Sequence, residues 1–193
     1  MTPNATRRAF LVQASAALAL LAVPSRSHAR AQVRKTPPAY PPIPPAYRHV
    51  AESLALPAAI LYGVAIQESV MRWGTVSLPW PWTLNVRAVP RRYGAYETAV
   101  ADLERILAQG VRNVDCGTMQ VNWRYHADKL RTPALALEPW HNLKVAGFIL
   151  LECRATTPSW FDAVGAYHSP GDAERAAPYA RSVFRHIGRI RDA

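Results

Sequence analysis

Pro57-Ala58-Ala59-Ile60-Leu61-Tyr62-Gly63-Val64-Ala65-Ile66-Gln67-Glu68-Ser69 is the stretch on which the reading of the fold turns. Pro57 suits the first turn of a helix, where its missing N–H would have had no partner. Behind it Leu61, Val64, Ala65 and Glu68 recur at i, i+3, i+4 and i+7, one face of a helix. A carboxyl group therefore closes an apolar stripe. Burial there penalises its charged form and raises its pKa toward the working range of a general acid. A solvated or ion-paired glutamate at a helix end is the plainer alternative that spacing alone leaves open.

The chain around this stretch reads as further helices. Val100, Leu103 and Leu107 form a stripe, with Asp102, Glu104 and Arg105 opposite and Gly110 as a stop. Asn142 is a candidate cap for Leu143–Cys153, which is apolar nearly all round and reads as the buried central helix. Ser159 and Asp162 have capping-box-like spacing ahead of a face of Trp160, Ala163, Val164 and Tyr167. Pro178 opens a last helix with Tyr179, Val183, Ile187 and Ile190 inward. No segment shows clean alternation of β-branched residues. Only 77–96, with Pro79, Pro81, Pro90 and Gly94, reads as a loop or a small irregular hairpin. The expectation is a mainly α domain with little or no β-sheet.

Composition bounds the function classes. The chain has 193 residues, half of them hydrophobic and 19% charged, which excludes disordered and low-complexity classes. No apolar run reaches ~18–20 residues, so a multi-span membrane protein is excluded. The first segment reads as targeting. Arg7 and Arg8 precede an apolar run from Phe10 to Val23, and Ala29-Arg30-Ala31 is a small-x-small cleavage pattern. Residues 1–31 thus read as a signal peptide, twin-arginine or Sec, for export to the periplasm with no stable membrane span after cleavage. Cleavage removes four arginines and no acid, so the formal charge falls from +10 to +6. Much of the excess charge is then targeting, and a nucleic-acid partner is not expected. Six prolines between Thr36 and Pro45 make 32–46 an extended linker, leaving 47–193 as the domain.

Three ordered motifs carry a resemblance. They are Ile66-Gln67-Glu68-Ser69, Gly117-Thr118-Met119-Gln120-Val121-Asn122, and Ala166-Tyr167-His168-Ser169-Pro170-Gly171. Together they resemble the soluble lytic transglycosylase, goose-lysozyme-like family over about residues 50–190. Pro79-Trp80-Pro81-Trp82-Thr83-Leu84-Asn85-Val86 further resembles the branch associated with conjugative elements and type IV secretion. The resemblance implies a lysozyme-like helical domain with a cleft that cleaves peptidoglycan glycan strands between N-acetylmuramic acid and N-acetylglucosamine, forming a 1,6-anhydro end. Glu68 matches the catalytic acid/base. Ser69 matches a serine that bonds the substrate or the carboxyl, Gln120 a glutamine that contacts sugar, Met119 a residue under the cleft, and Tyr167 a tyrosine whose hydroxyl reaches the carboxyl; Asn122 reads either as sugar-binding or as a turn cap. Thr118 and His168 depart from the motif, which usually has leucine and asparagine there.

Further expectations follow from residue chemistry. Trp80 and Trp82, flanking Pro81 outside any helix, read as an apolar wall for sugar faces. Asp115 is the best-placed second carboxylate, with a turn cap as the plainer reading. Cys116 and Cys153, even in number in an exported chain, point to a disulfide that ties the 117–122 turn to the central helix. Its closed loop of about 38 residues would be worth roughly 4 kcal/mol; two separate buried thiols are the alternative. No cofactor and no metal are expected. Partners implied are glycan strands and conjugation or secretion proteins. The rivals are a lysozyme-type hydrolase of the same fold and a non-catalytic wall-binding scaffold.

Overall fold

The structure is a computed structural model that describes residues 39–191 apart from 75. The expected signal segment lies outside the described residues. Among these, eight helices are joined by two small antiparallel sheets. The helices are α1 (Pro45–Ser53), α2 (Ala58–Ser69), α3 (Tyr96–Ala108), α4 (Trp123–Leu130), α5 (Pro133–Leu137), α6 (Pro139–Ala155), α7 (Trp160–His168) and α8 (Ala173–Ile187). Strands β1 (Val70–Trp73) and β2 (Val76–Pro79) form one hairpin. β3 (Thr83–Val86), β4 (Val89–Arg92), β5 (Val114–Cys116) and β6 (Val121–Asn122) form a sheet in the order β4-β3-β5-β6. No described helix is long and apolar enough to cross a membrane.

The helical reading holds, but the expectation of little or no β-sheet is corrected. Six strands are present among the described residues, none longer than four residues. They escape a periodicity reading because alternation over so few residues is barely a pattern. The β3–β4 turn also lacks a Gly or Asn signal, since Arg87 and Ala88 take its positive φ values of 50° and 67°. The two faces of the sheet nevertheless differ. Leu84, Cys116 and Val121 lie side by side and are buried. Pro90, Asn85, Asp115 and Asn122 form the neighbouring cross-strand row on the other face.

The buried central helix is α2, not α6. Every residue from Ile60 to Ile66 is buried, whereas α6 exposes Trp140, Lys144 and Phe148. Each buried Leu, Ile or Val here contributes about 1.5–3 kcal/mol of transfer free energy. Gly63 lets α8 come close: a Cβ there would stand 2.5 Å from Ile187 Cγ1. Two helix starts also move. Glu138 caps α6, its carboxylate accepting from the N–H groups of Trp140 and His141. Asp172 caps α8, which places Pro178 inside that helix. Ser159 caps α7 by accepting from Asp162 N–H at 3.1 Å, as the spacing indicates.

The proline-rich segment does more than space. Tyr40 and Ile43 are buried in the core. Tyr40 donates its N–H to Arg189 O at 2.7 Å, and its hydroxyl meets His186 Nδ1 at 3.0 Å. Packing therefore begins inside the stretch read as linker.

Asn142, freed from capping, is fully buried in α6 and ties the 117–122 turn down. Its Oδ1 accepts from Met119 N–H at 2.9 Å, and its Nδ2 donates to Cys116 O at 2.9 Å and Ala136 O at 3.0 Å. This is the tether assigned above to a disulfide, and that assignment is corrected. Cys116 and Cys153 are both free thiols. Cys116 points into the core face of the sheet, while Cys153 lies half-buried near the end of α6. Gly117, at φ +75°, fits over the same asparagine: a Cβ would stand 2.6 Å from Asn142 Cγ. Gly117→Ala should therefore cost about 2–4 kcal/mol in urea denaturation. Gly110→Ala, at a similar φ of +79° but in open space, should cost only the backbone strain of about 1 kcal/mol. Equal losses at the two positions would contradict the tether.

Candidate functional site

A groove of about 890 Å³ runs between the polar face of the sheet and the ends of the helices. The helical side supplies Glu68 from the last turn of α2 and Tyr167 and His168 from the end of α7. The sheet supplies Asn85, Asp115 and Asn122, and the turn before β6 supplies Gln120. Arg92 and Arg175 add positive charge to the lining.

Glu68 is the half-buried acid of this groove. Burial raises its pKa from 4.5 to about 7. A hydrogen bond donated by the Tyr179 hydroxyl to Glu68 Oε1 pulls the other way, and the negative charge of Asp115 adds to the rise. The carboxyl thus exchanges its proton near neutrality. Tyr179 is buried in α8, and its ring stacks on His168 with centroids 4.3 Å apart and planes 2° off parallel. Burial and Arg175 hold His168 below the usual imidazole value, against the pull of Asp115.

The tyrosine assignment is corrected. Tyr167 lines the groove, but its hydroxyl donates to Met119 O at 2.7 Å, and Tyr179 is the phenol that reaches the carboxyl. Sequence reasoning placed Tyr179 correctly as an inward residue of the last helix and stopped there. A phenol one buried helix away from an acid is a signal only once α2 and α8 are known to pack together.

Gln120 lines the groove in left-handed backbone, φ +47°. Its Nε2 donates to Gly117 O at 2.8 Å and Thr83 O at 3.3 Å, which fixes the strained turn. Asn122 makes three side-chain hydrogen bonds, one of them from its Nδ2 to Asn113 Oδ1 at 2.9 Å. Its Oδ1 caps α4 by accepting from Arg124 N–H at 2.9 Å, and its Nδ2 donates to Asp115 Oδ1 at 2.7 Å. Asn85 Nδ2 donates to Asp115 Oδ2 at 3.0 Å. Asp115 is therefore a strand residue gripped from both neighbouring strands, not the turn cap preferred above, and burial raises its pKa.

Four expected site residues lie elsewhere. Ser69 is buried and donates back to Ala65 O at 3.2 Å, the usual outlet for a helical serine. The Met119 side chain is core, although its carbonyl serves Tyr167. Trp80 and Trp82 do not line the groove: they pack edge to face on each other at 5.5 Å, and Trp80 Nε1 donates to Tyr93 O at 2.8 Å. The exposed aromatic in the lining is Tyr125, a residue the sequence reading did not single out. Among the described residues no group of three or more His, Cys, Asp or Glu is arranged to hold a metal ion. No family model, curated protein or solved structure matches the chain.

The raised pKa has a stability consequence. Between pH 4.5 and about 7 the folded chain keeps the Glu68 proton that the unfolded chain has lost. Native protein binds more protons in that window, so stability falls as pH rises through it. Glu68→Gln lacks this loss. Urea denaturation should show the variant gaining on the parent from pH 4.5 to 7 and holding a constant advantage above; a difference independent of pH would contradict the assigned pKa.

Proposed function

We propose that the chain is a peptidoglycan lytic transglycosylase, opening glycan strands at the N-acetylmuramic acid–N-acetylglucosamine bond. The observation that carries this reading is a carboxyl with a pKa of about 7, lining a groove of about 890 Å³ and hydrogen-bonded to a buried phenol. The ordered resemblance of the Glu68, Gln120 and Tyr167 segments adds the substrate class.

Glu68, protonated, gives its proton to the glycosidic oxygen as the bond to C1 breaks. Positive charge develops on the sugar, and the carboxylate left behind is stabilised by the Tyr179 hydroxyl. The muramic acid's own C6 hydroxyl attacks C1 and returns its proton to Glu68, closing the 1,6-anhydro ring. One carboxyl serves both steps because the nucleophile is held within the substrate. With their N–H groups given to the protein, Gln120 and Asn122 offer side-chain oxygens to N-acetyl N–H and hydroxyl groups, and Tyr125 offers an exposed aromatic face.

Export to the periplasm and service to a conjugation or secretion apparatus belong to the same proposal. They rest on the signal-like residues 1–31 and on the run from Pro79 to Val86. A second reading, a true hydrolase, is favoured by Asp115: a gripped second carboxylate in the groove is what water activation would use.

Digestion of purified sacculi with mass analysis tests these readings. The parent should release fragments with anhydro ends, and Glu68→Gln should release them at least about 100-fold more slowly. Fragments one water heavier would establish the hydrolase instead. Equal release by Glu68→Gln would overturn the site, and binding without release by the parent would leave a wall-binding scaffold.

A further inference from the structure

A second concavity, of about 600 Å³, opens where the β3–β4 turn, the loop after α3 and the first turn of α4 meet. Arg87, Arg112 and Arg124 line it together with Asn113 and Trp123, and no Asp or Glu does. Among the described arginines the ion-paired ones are Arg91 and Arg105, which share Asp102, and Arg175, which pairs with Asp172. Arg87, Arg112 and Arg124 take part in none of the ion pairs among the described residues.

Their placement is held by other contacts. Arg112 Nη1 donates to Leu107 O at 2.6 Å, at the end of α3. Arg124 lies over the Tyr125 ring, 5.8 Å from its centroid. Arg87 N–H donates to Asn113 O at 3.2 Å from a turn whose two central residues are both non-glycine at positive φ. Such backbone costs of order 1–3 kcal/mol per residue and is often kept where a side chain must be presented.

Three like charges around one space, with no acid among its lining residues, give it a positive potential. A carboxylate, planar and singly charged, is satisfied by one guanidinium fork. A basin with three guanidiniums matches a tetrahedral oxyanion carrying nearly two charges.

We propose that this basin is a binding site for a phosphate group. The inference does not depend on the chemistry of the groove. The phosphate can belong to a soluble phosphate compound or to a lipid headgroup, and the same arginines would take either.

The test titrates the full chain with pyrophosphate at constant ionic strength and follows backbone amide shifts. Shifts should concentrate at 87, 110–113 and 123–127. The double variant Arg87→Gln/Arg124→Gln should bind at least about tenfold more weakly. Arg181→Gln/Arg185→Gln, exposed on α8, should bind like the parent. Flotation with phosphatidylglycerol against phosphatidylcholine vesicles separates the sources: arginine-dependent capture by the first identifies a lipid headgroup, and pyrophosphate binding without capture identifies a soluble ligand. Shifts scattered over the basic surface, or equal weakening in the α8 variant, would overturn the proposal. The shift map of the parent decides the matter even if the double variant fails to fold.

Discussion

The desolvation of one carboxyl group organises this molecule. Glu68 stands where a helix buried from Ile60 to Ile66 runs out into a groove, so it loses water without gaining a cation. That loss alone would leave a neutral acid of no use as a base. The Tyr179 hydroxyl moderates it, and the result is a group near pKa 7 that can release and recover a proton. The packing of α2 against α8 through Gly63 is what brings these two side chains together. Fold and acidity are thus the same fact seen at two scales.

The opposite wall is built by amides. Asn142 holds the 117–122 turn from below through Met119 N–H and the carbonyl of Cys116 just before it, and its remaining N–H is fixed on Ala136 O of α5. Asn85 and Asn122 hold Asp115 from either side along one cross-strand row. Amides supply both donors and acceptors, so a turn and a carboxylate can be fixed by them without adding charge to the groove. A disulfide would have held the turn as well, but Cys116 belongs to the core face of the sheet, opposite the row that faces the groove.

Much of this was legible in the residues. Five of the eight helices show through their apolar stripes, whereas α1, α4 and α5, of nine, eight and five residues, do not, and Glu68 shows because it closes such a stripe with a carboxyl. The strands do not show: four residues with a proline in them, as in β2 and β4, carry too little alternation. Asn142 was misread as a cap because capping is local and its true partners lie 23 and 26 residues away. Tyr179 and Tyr167 exchanged roles for a related reason, since which phenol meets the acid depends on how α7 and α8 lie against α2. Trp80 and Trp82 looked like a sugar platform by composition, yet the two rings pack on each other and the Trp80 N–H is taken by backbone, while the buried Trp82 N–H has no hydrogen-bond partner among the described residues.

The central claim is that Glu68 titrates near neutrality because it is desolvated. A ¹³C NMR titration of the Glu68 side-chain carboxyl measures this directly. A midpoint near pH 7, moving higher in Tyr179→Phe, is the predicted result. A midpoint near 4.5, unmoved by that substitution, would contradict it.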